Sequence, residues 1–315
     1  MNIAITGATG FLGKRFAQWA IREGNKIICL VHTPQKATDL IKNGAEIVYG
    51  DIRNKEVLSS LMQNAGVCVH LAAHVHNGSH QSFRQVNVDG TENICQTIIQ
   101  YAPWCRLVHC SSIAALRVNP RYKFLATDYA LSKWAADRIV QKYIERYGLQ
   151  VTFVYPGLIY GPGDKQFLPT LIHYLGKNRV FLVRGGEKSA PLIYIDDLCR
   201  LFMKVATDER SVGKHYLGIQ EGEIGIHDFI RLLATNAGYR LPSLILPKIP
   251  LMGLAIIVEA IYYLFGNKQS PFLSKRAIDI VSINADFPRT RFSNDLGWRA
   301  EVSIEEGLKR TLNGY

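Results

Sequence analysis

None of the six cysteines stands at C-x-x-C or any other zinc-type spacing, and no carboxylate or thiol ligand accompanies His74 and His76 at a familiar interval. Nothing in the chain therefore asks for a metal. Cys29, Cys68, Cys95, Cys105, Cys110 and Cys199 fall partly in strand-like apolar runs and read as reduced core residues rather than a disulfide framework. Low-complexity tracts and internal repeats are also missing. A basic arm is missing too: the net charge is +11, but the only adjacent basic pairs are Lys14/Arg15, Lys275/Arg276 and Lys309/Arg310. With no recognition motif beside it, such a charge reads as a solvated basic surface and not as a nucleic-acid partner. No basic stretch, apolar run and cleavage site precede the first strand, which sets the expectation of a cytoplasmic protein. What is plentiful is core material: 48% of 315 residues are hydrophobic, enough for one large α/β domain or a domain with a smaller lobe.

The chain is organised around Asn2 to Gly13, N-I-A-I-T-G-A-T-G-F-L-G. Asn2 to Thr6 read as a buried strand, and Gly7, Gly10 and Gly13 lead into a helix-compatible stretch from Lys14 to Glu23. Such a turn can cradle a pyrophosphate against helix N–H groups: Gly7 permits the bend, Gly10 removes a Cβ from the anion's path, and Gly13 lets the helix pack on the sheet. A plain strand-to-helix turn is the bland alternative. Further apolar runs, Lys26 to Val31, Glu46 to Tyr49, Val67 to Leu71, Arg106 to Cys110 and Val151 to Tyr155, alternate with helical segments. Continuous apolar strands between helices predict a Rossmann-type, doubly wound parallel sheet whose ligand lies at the carboxyl ends of the strands.

Strand two ends in Leu30-Val31-His32-Thr33, without the acid that NAD-preferring sites place on the ribose. His32, Lys36 and the Lys14/Arg15 pair can instead accommodate a 2′-phosphate, so NADP(H) is expected ahead of NAD(H); ordinary surface bases are the alternative. Asp51, in Gly50-Asp51-Ile52-Arg53, either accepts a hydrogen bond from the adenine amine or caps the next helix. The small residues of His70-Leu71-Ala72-Ala73-His74 leave room for a cofactor, and His74 and His76 read as loop histidines. Asn87, in or at the start of a long helix, suggests a buried hydrogen-bonding role, a helix-start signal being the alternative.

Strand five delivers Ser111 and Ser112, and the predicted helix from Asp128 to Gly148 carries Tyr129-Ala130-Leu131-Ser132-Lys133. A Tyr and a Lys four apart share one helix face, and an ammonium beside a phenol favours its ionised form. A serine hydroxyl from the neighbouring strand end can hold the reacting oxygen.

With these motifs in order, the chain resembles an extended short-chain dehydrogenase/reductase of the epimerase/dehydratase superfamily, nearest the 3β-hydroxysteroid dehydrogenase-like branch. T-G-A-T-G-F-L-G at 6 to 13, G-D-I-R at 50 to 53, H-L-A-A at 70 to 73, N-V-D-G-T at 87 to 91, S-S at 111 to 112, Y-A-L-S-K at 129 to 133, Y-P-G-L-I-Y-G-P-G-D at 155 to 164 and Y-I-D-D-L at 194 to 198 carry it. The resemblance implies Tyr129 as catalytic acid/base, Lys133 as the cation that activates it and binds the nicotinamide ribose, and Ser112 as the group that positions the substrate oxygen, supported by Ser111. It places the dinucleotide against Gly7, Thr9, Gly10, Phe11, Leu12, Gly13, His32, Lys36, Asp51, Ile52, Leu71, Ala72, Ala73, Asn87, Ser111, Tyr129, Lys133, Tyr155, Pro156, Gly157 and Leu158. Two departures stand out: Tyr155 occupies the place where the family commonly has Arg before Pro-Gly, and no Arg directly precedes Tyr194-Ile195-Asp196-Asp197.

The expected division is a dinucleotide-binding domain over 1–161, with a returning strand near 215–219, and a smaller, mainly helical substrate lobe over 162–315, with helices from Phe167 to Leu175 and Ile226 to Ala237. The stretch Leu244 to Phe265 holds a helix that is nearly free of charge, Glu259 being the only one from Ile249 onward. From Pro250 to Phe265 it is too short to span a bilayer comfortably. It reads as a buried lobe helix; the alternative is a helix that dips into a membrane or covers an apolar substrate, with a peripheral membrane contact through 244–265. A homodimer completes the expected partners. The activity expected is alcohol–ketone interconversion on an apolar, sterol-like or lipid-like substrate. The rival enzyme reading is a nucleotide-sugar epimerase, dehydratase or 4-keto reductase, and the rival from another class is a non-catalytic NADP-binding regulator, against which an intact Ser/Tyr/Lys set argues.

Overall fold

The computed structural model describes the chain apart from residues 76–77, 221–223, 266–270, 272, 284–286, 288–291 and 315, and the side chains at 125 and 263. Six strands follow in sequence: β1 Asn2–Thr6, β2 Lys26–Val31, β3 Glu46–Tyr49, β4 Val67–His70, β5 Arg106–Cys110 and β6 Val151–Pro156. β7 Leu158–Tyr160, β8 Leu182–Val183 and β9 Leu192–Tyr194 leave this sheet, β10 His215–Gly218 returns to it, and β11 Ile245–Leu246 pairs with β8. The helices are α1 Phe11–Arg22, α2 Thr38–Lys42, α3 Lys55–Met62, α4 His80–Phe83, α5 Gly90–Tyr101, α6 Ile113–Leu116, α7 Asp128–Tyr147, α8 Phe167–Gly176, α9 Ile195–Thr207, α10 Ile226–Asn236, α11 Lys248–Leu264, α12 Lys275–Val281 and α13 Ile304–Leu312.

The main sheet is parallel with order β10-β6-β5-β4-β1-β2-β3. The strand order reverses between β1 and β4, so the carboxyl ends of these two strands flank the crevice where a doubly wound sheet binds its ligand. This is the Rossmann-type α/β fold that the alternation of apolar runs and helices predicts. The central strands are buried along almost their whole length, whereas β3, at the edge, is half exposed. Leu58 and Leu61 of α3, Ile94 and Ile98 of α5 and Val140 of α7 are buried in one cluster over the sheet, each stabilising the fold by roughly 1.5–3 kcal/mol.

Several ends differ from the sequence reading by a few residues. α1 starts at Phe11 rather than Lys14, because Gly10 adopts an extended cap conformation with φ −78° and ψ 173° and Gly13 is already helical. β4 stops at His70, although the Leu71 N–H still donates to the Thr6 carbonyl at 3.1 Å. α7 closes on Gly148 at φ 67°, a left-handed cap that glycine takes without the Cβ penalty. All six cysteines are free thiols, and burial pushes Cys29 and Cys105 up to about 12, which keeps them protonated and inert.

The chain divides into two compact units. The first takes in Met1–Pro156, Asp196–Gly218 and a short segment ending at Trp298; the second begins at Gly157. In the second unit β7 pairs with β9, and α11 lies against α12 and β8 around Val183, Ala255 and Ile278. The buried-helix reading of α11 is corrected here. Leu251, Met252 and Ala255 face the core, while Ile249, Leu254, Ile256, Ile257, Ile261, Leu264 and Phe265 are exposed.

Candidate active site

The glycine turn has a divided architecture. Gly7 has φ +73°, and a Cβ there would lie 2.5 Å from the Ala72 nitrogen, so this glycine lets β1 approach the residues after β4. A Cβ at Gly13 would lie 2.1 Å from the Gly7 carbonyl oxygen, inside the turn itself. Gly13 thus serves the turn's own closure rather than helix–sheet packing alone. Gly10 is different. It is exposed, and a Cβ built on it meets only the Gly7 oxygen at 3.2 Å. No side chain caps α1 and its first turn holds no acid, so its leading N–H groups are electrostatically suited to an anion. The open side of the turn thus offers the space and the bare N–H groups that an anion such as a pyrophosphate requires. Thr9 and Phe11 border it half-buried, and Leu12 is buried beneath.

His32 is exposed just beyond β2, with Nδ1 3.4 Å from Asp51 Oδ2. Asp51 is also engaged by Arg53, whose backbone N–H and guanidinium Nε and Nη2 each donate at 2.8 Å, and this hydrogen bonding holds the carboxyl below its ordinary range. The cap reading of Asp51 is corrected: α3 is capped by Asn54, whose Oδ1 accepts from Glu56 N and Val57 N. Ile52 is buried against α5, and Lys36 is exposed. Lys14 and Arg15, grouped with these bases from sequence, lie in ion pairs with Asp39 and Asp196 at 2.5 Å.

Between β1 and β4 a buried hydrogen-bond chain fixes one histidine tautomer. The Thr91 hydroxyl donates to the Asn87 carbonyl at 2.7 Å, so it accepts from His70 Nε2 at 2.9 Å; His70 Nδ1 is then an acceptor, and Thr6 donates to it at 2.7 Å. Leu71, Ala72 and Ala73 follow, partly buried. Asn87 sits in a π-helical turn, 84–89, between α4 and α5. Its amide accepts from His74 N at 2.7 Å and donates to His74 O at 2.9 Å and to Ser132 Oγ at 2.8 Å. It is a buried clamp between the loop after β4 and α7, not a helix-start signal. His74 packs edge-on against Phe83 with 4.8 Å between ring centroids; His76 lies outside the described residues. Among the described residues no cluster of potential metal ligands occurs.

Lys133 meets the two serines at the end of β5. Lys133 is buried, and its Nζ donates to the carbonyl of Cys110, the last residue of β5, at 2.6 Å. Ser111 and Ser112 follow directly, Ser112 capping α6 by accepting from Ala114 N at 3.2 Å. Tyr129, one turn before Lys133 on α7, is half-buried with its ring 6.5 Å from that of Phe83. The sequence reading did not single out Asp137, the next residue on the same helix row. Its carboxylate accepts from Ser111 Oγ at 2.8 Å and from His109 Nε2 at 3.0 Å, tying α7 to β5 behind the serines. Extending the Tyr129–Lys133 spacing by four more residues is the signal that finds it.

Tyr155 and Pro156 close β6 in the first unit. Tyr155 is buried in a ring stack with Phe153 and His215, its hydroxyl 3.3 Å from His215 Nδ1. Gly157 and Leu158 open the second unit: a Cβ at Gly157 would lie 2.0 Å from the Pro191 carbonyl oxygen, and Leu158 N donates to that oxygen at 2.7 Å. The Tyr194-Ile195-Asp196-Asp197 motif is structural here, because Asp196 holds Arg15 and buried Asp197 pairs with Arg200.

Burial holds His70 and His109 below the ordinary imidazole range, despite the Asp137 hydrogen bond that pulls His109 upward. His109 Nδ1 has no hydrogen-bond partner, so a proton there would bury an unsatisfied donor. Burial lowers His215 in the same way. The unfolded chain takes up these protons near pH 6.5 and the folded chain does not, so stability is complete above about pH 6.5 and is lost as pH falls below it. The thermal midpoint is expected to be level from about pH 8 to 7 and to drop between about pH 6.5 and 5, before carboxylates protonate. A midpoint level down to pH 5 in a thermal melt series contradicts this account.

Residues 3–217 match the NAD dependent epimerase/dehydratase family. Among curated proteins, the chain is 25% identical to 3beta-hydroxysteroid-dehydrogenase/decarboxylase isoform 1 of Arabidopsis thaliana, over 99% of this chain and 79% of that one. It is 26% identical to sterol demethylase protein B of Methylococcus capsulatus, over 94% and 93% of the two chains. Among solved structures, the UDP-glucuronic acid 4-epimerase of Bacillus cereus in complex with NAD superposes with a TM-score of 0.72 at 17% identity, covering 100% of this chain and 98% of that one, a likeness of fold. With its glycine turn and parallel sheet, and a family match over residues 3–217, the chain belongs to the NAD dependent epimerase/dehydratase family, the extended short-chain dehydrogenases/reductases.

Proposed function

We propose that the protein interconverts an alcohol and a ketone on an apolar, sterol-like or lipid-like substrate with NADP(H). The observation that carries this reading is the gathering of Lys133, Ser111 and Ser112 at the end of β5 with Tyr129 one turn away on α7. The dinucleotide, when bound, supplies or accepts the hydride. The Tyr129 hydroxyl gives the proton to the carbonyl oxygen in reduction and takes it back in oxidation. Lys133, desolvated and one turn from Tyr129, stabilises the phenolate that this proton transfer leaves and would hold the nicotinamide ribose. Ser112 holds the reacting oxygen, and Asp137 steadies the strand end through Ser111.

Support for NADP(H) comes from exposed His32 and Lys36 beyond β2, where no carboxylate terminates the strand. Support for an apolar substrate comes from the two places where an anchoring Arg would be sought: Tyr155 is consumed in a buried ring stack, and Ala190, Leu192 and Ile193 before Tyr194 are buried. A sugar nucleotide needs a cation for its pyrophosphate. The sterol-related names of both curated relatives point the same way. A nucleotide-sugar epimerase, dehydratase or 4-keto reductase is the second reading, favoured by the fold shared with the UDP-glucuronic acid 4-epimerase.

Calorimetric titration should show NADPH binding at least about tenfold tighter than NADH, a gap of ~1.4 kcal/mol; tighter NADH binding reverses the cofactor assignment. In the presence of cofactor, hydrophobic ketones should bind and turn over while UDP-sugars do not. Micromolar, pyrophosphate-dependent binding of a UDP-sugar makes the second reading correct.

A further inference from the structure

α11 divides its apolar surface in two. One stripe, Leu251, Met252 and Ala255, packs on Val183, Ile278 and their neighbours. The remainder points outward: Ile249 is 86% exposed, Ile257 57%, Leu264 81% and Phe265 84%, with Leu254, Ile256 and Ile261 between them. The single charge from Ile249 to Phe265 is turned inward. Glu259 accepts from Lys275 N at 2.8 Å, and its other oxygen lies 3.8 Å from Lys275 Nζ. The outward face is therefore uncharged over its whole length, about 25 Å at 1.5 Å per residue. Leu241, Leu244 and Ile245, on the way into the helix, are exposed as well.

We propose that this face lies in the surface of an anionic lipid bilayer, with the helix in the membrane plane. Two observations select lipid over a protein. First, a protein interface carries about one hydrogen bond per 100–200 Å², and the exposed positions from Ile249 to Ile261 present no polar side chain. Hydrocarbon asks for none. Second, the charge around the face is basic. Among the described residues between 239 and 281 the bases are Arg240, Lys248, Lys275 and Arg276, and the acids are Glu259 and Asp279. Both acids are matched by lysines, Asp279 by Lys248 at 3.5 Å. Exposed Arg179 and Arg184 flank β8, which pairs with β11 just before the helix. An uncharged aliphatic face suits the acyl boundary of a bilayer, and basic flanks suit its anionic headgroups. Among the described residues no helix is long and apolar enough to cross a membrane, so the contact is with one leaflet.

This inference stands apart from the substrate reading, because binding to bare vesicles requires neither substrate nor cofactor. The full chain is sedimented with phosphatidylcholine vesicles with and without about 30% phosphatidylglycerol, where each surface base contributes ~1 kcal/mol. Wild-type protein should pellet with the anionic vesicles at low salt and less at high salt. Ile257→Glu and, independently, Leu254→Glu should reduce the bound fraction about tenfold, with unchanged circular dichroism because both side chains are already exposed. Absence of pelleting at low salt, or variants that pellet like wild type, overturns the proposal. A concentration-dependent dimer that Ile257→Glu dissociates, without vesicle binding, overturns it in favour of a second copy of the chain.

Discussion

Tyr129→Phe is expected to lower kcat by about 10²–10⁴-fold, the range that one positioned proton donor contributes, while cofactor affinity stays within about twofold. The substitution removes only the hydroxyl. The ring keeps its place against Phe83, and the helix around it is held from elsewhere, by Lys133 on the Cys110 carbonyl and by Asp137 on Ser111 and His109. A drop in kcat with unchanged dinucleotide titration therefore isolates the proton transfer. Activity retained within a few fold would sink the mechanism.

Gly10→Val should cost at least about a hundredfold in dinucleotide affinity, or ~2.7 kcal/mol, with little loss of stability. The position has an ordinary φ of −78°, and the added Cβ meets only the Gly7 carbonyl oxygen, at 3.2 Å, so a small local shift there admits a side chain that otherwise projects into the open turn. Gly13→Val provides the contrast. Its Cβ has nowhere to go beside the Gly7 carbonyl, and the variant is expected to misfold or melt many degrees lower. Calorimetry with NADPH and NADH, alongside thermal melts, separates the two. Normal dinucleotide binding by a folded Gly10→Val protein would remove the pyrophosphate from this turn.

The two substitutions also mark where sequence reading ends. The glycine spacing was legible because a tight turn into a helix constrains the backbone locally; what Gly7 makes room for was not, since that is Ala72, brought beside it by the pairing of β1 with β4. Lys14 and Arg15 show the same limit. From sequence they are two more bases near a cofactor, and only the fold reveals Asp39 and Asp196 taking them up.

By itself the sequence determined the parallel α/β fold, the placing of Tyr129 and Lys133 on one helix face, and the delivery of Ser111 and Ser112 from a strand end. Each rests on periodicity or on spacing within a few residues, and hydrophobic burial leaves such patterns a single solution. Only the tertiary structure decided what joins residues far apart in the chain. It set Asp137 behind the serines and buried His109 with a bare Nδ1. It also turned Glu259 inward, so that a helix apolar on every side in sequence has one face in the core and the other exposed. Hydropathy along a helix counts residues without knowing which neighbours will cover them, and in α11 the covering stops halfway round.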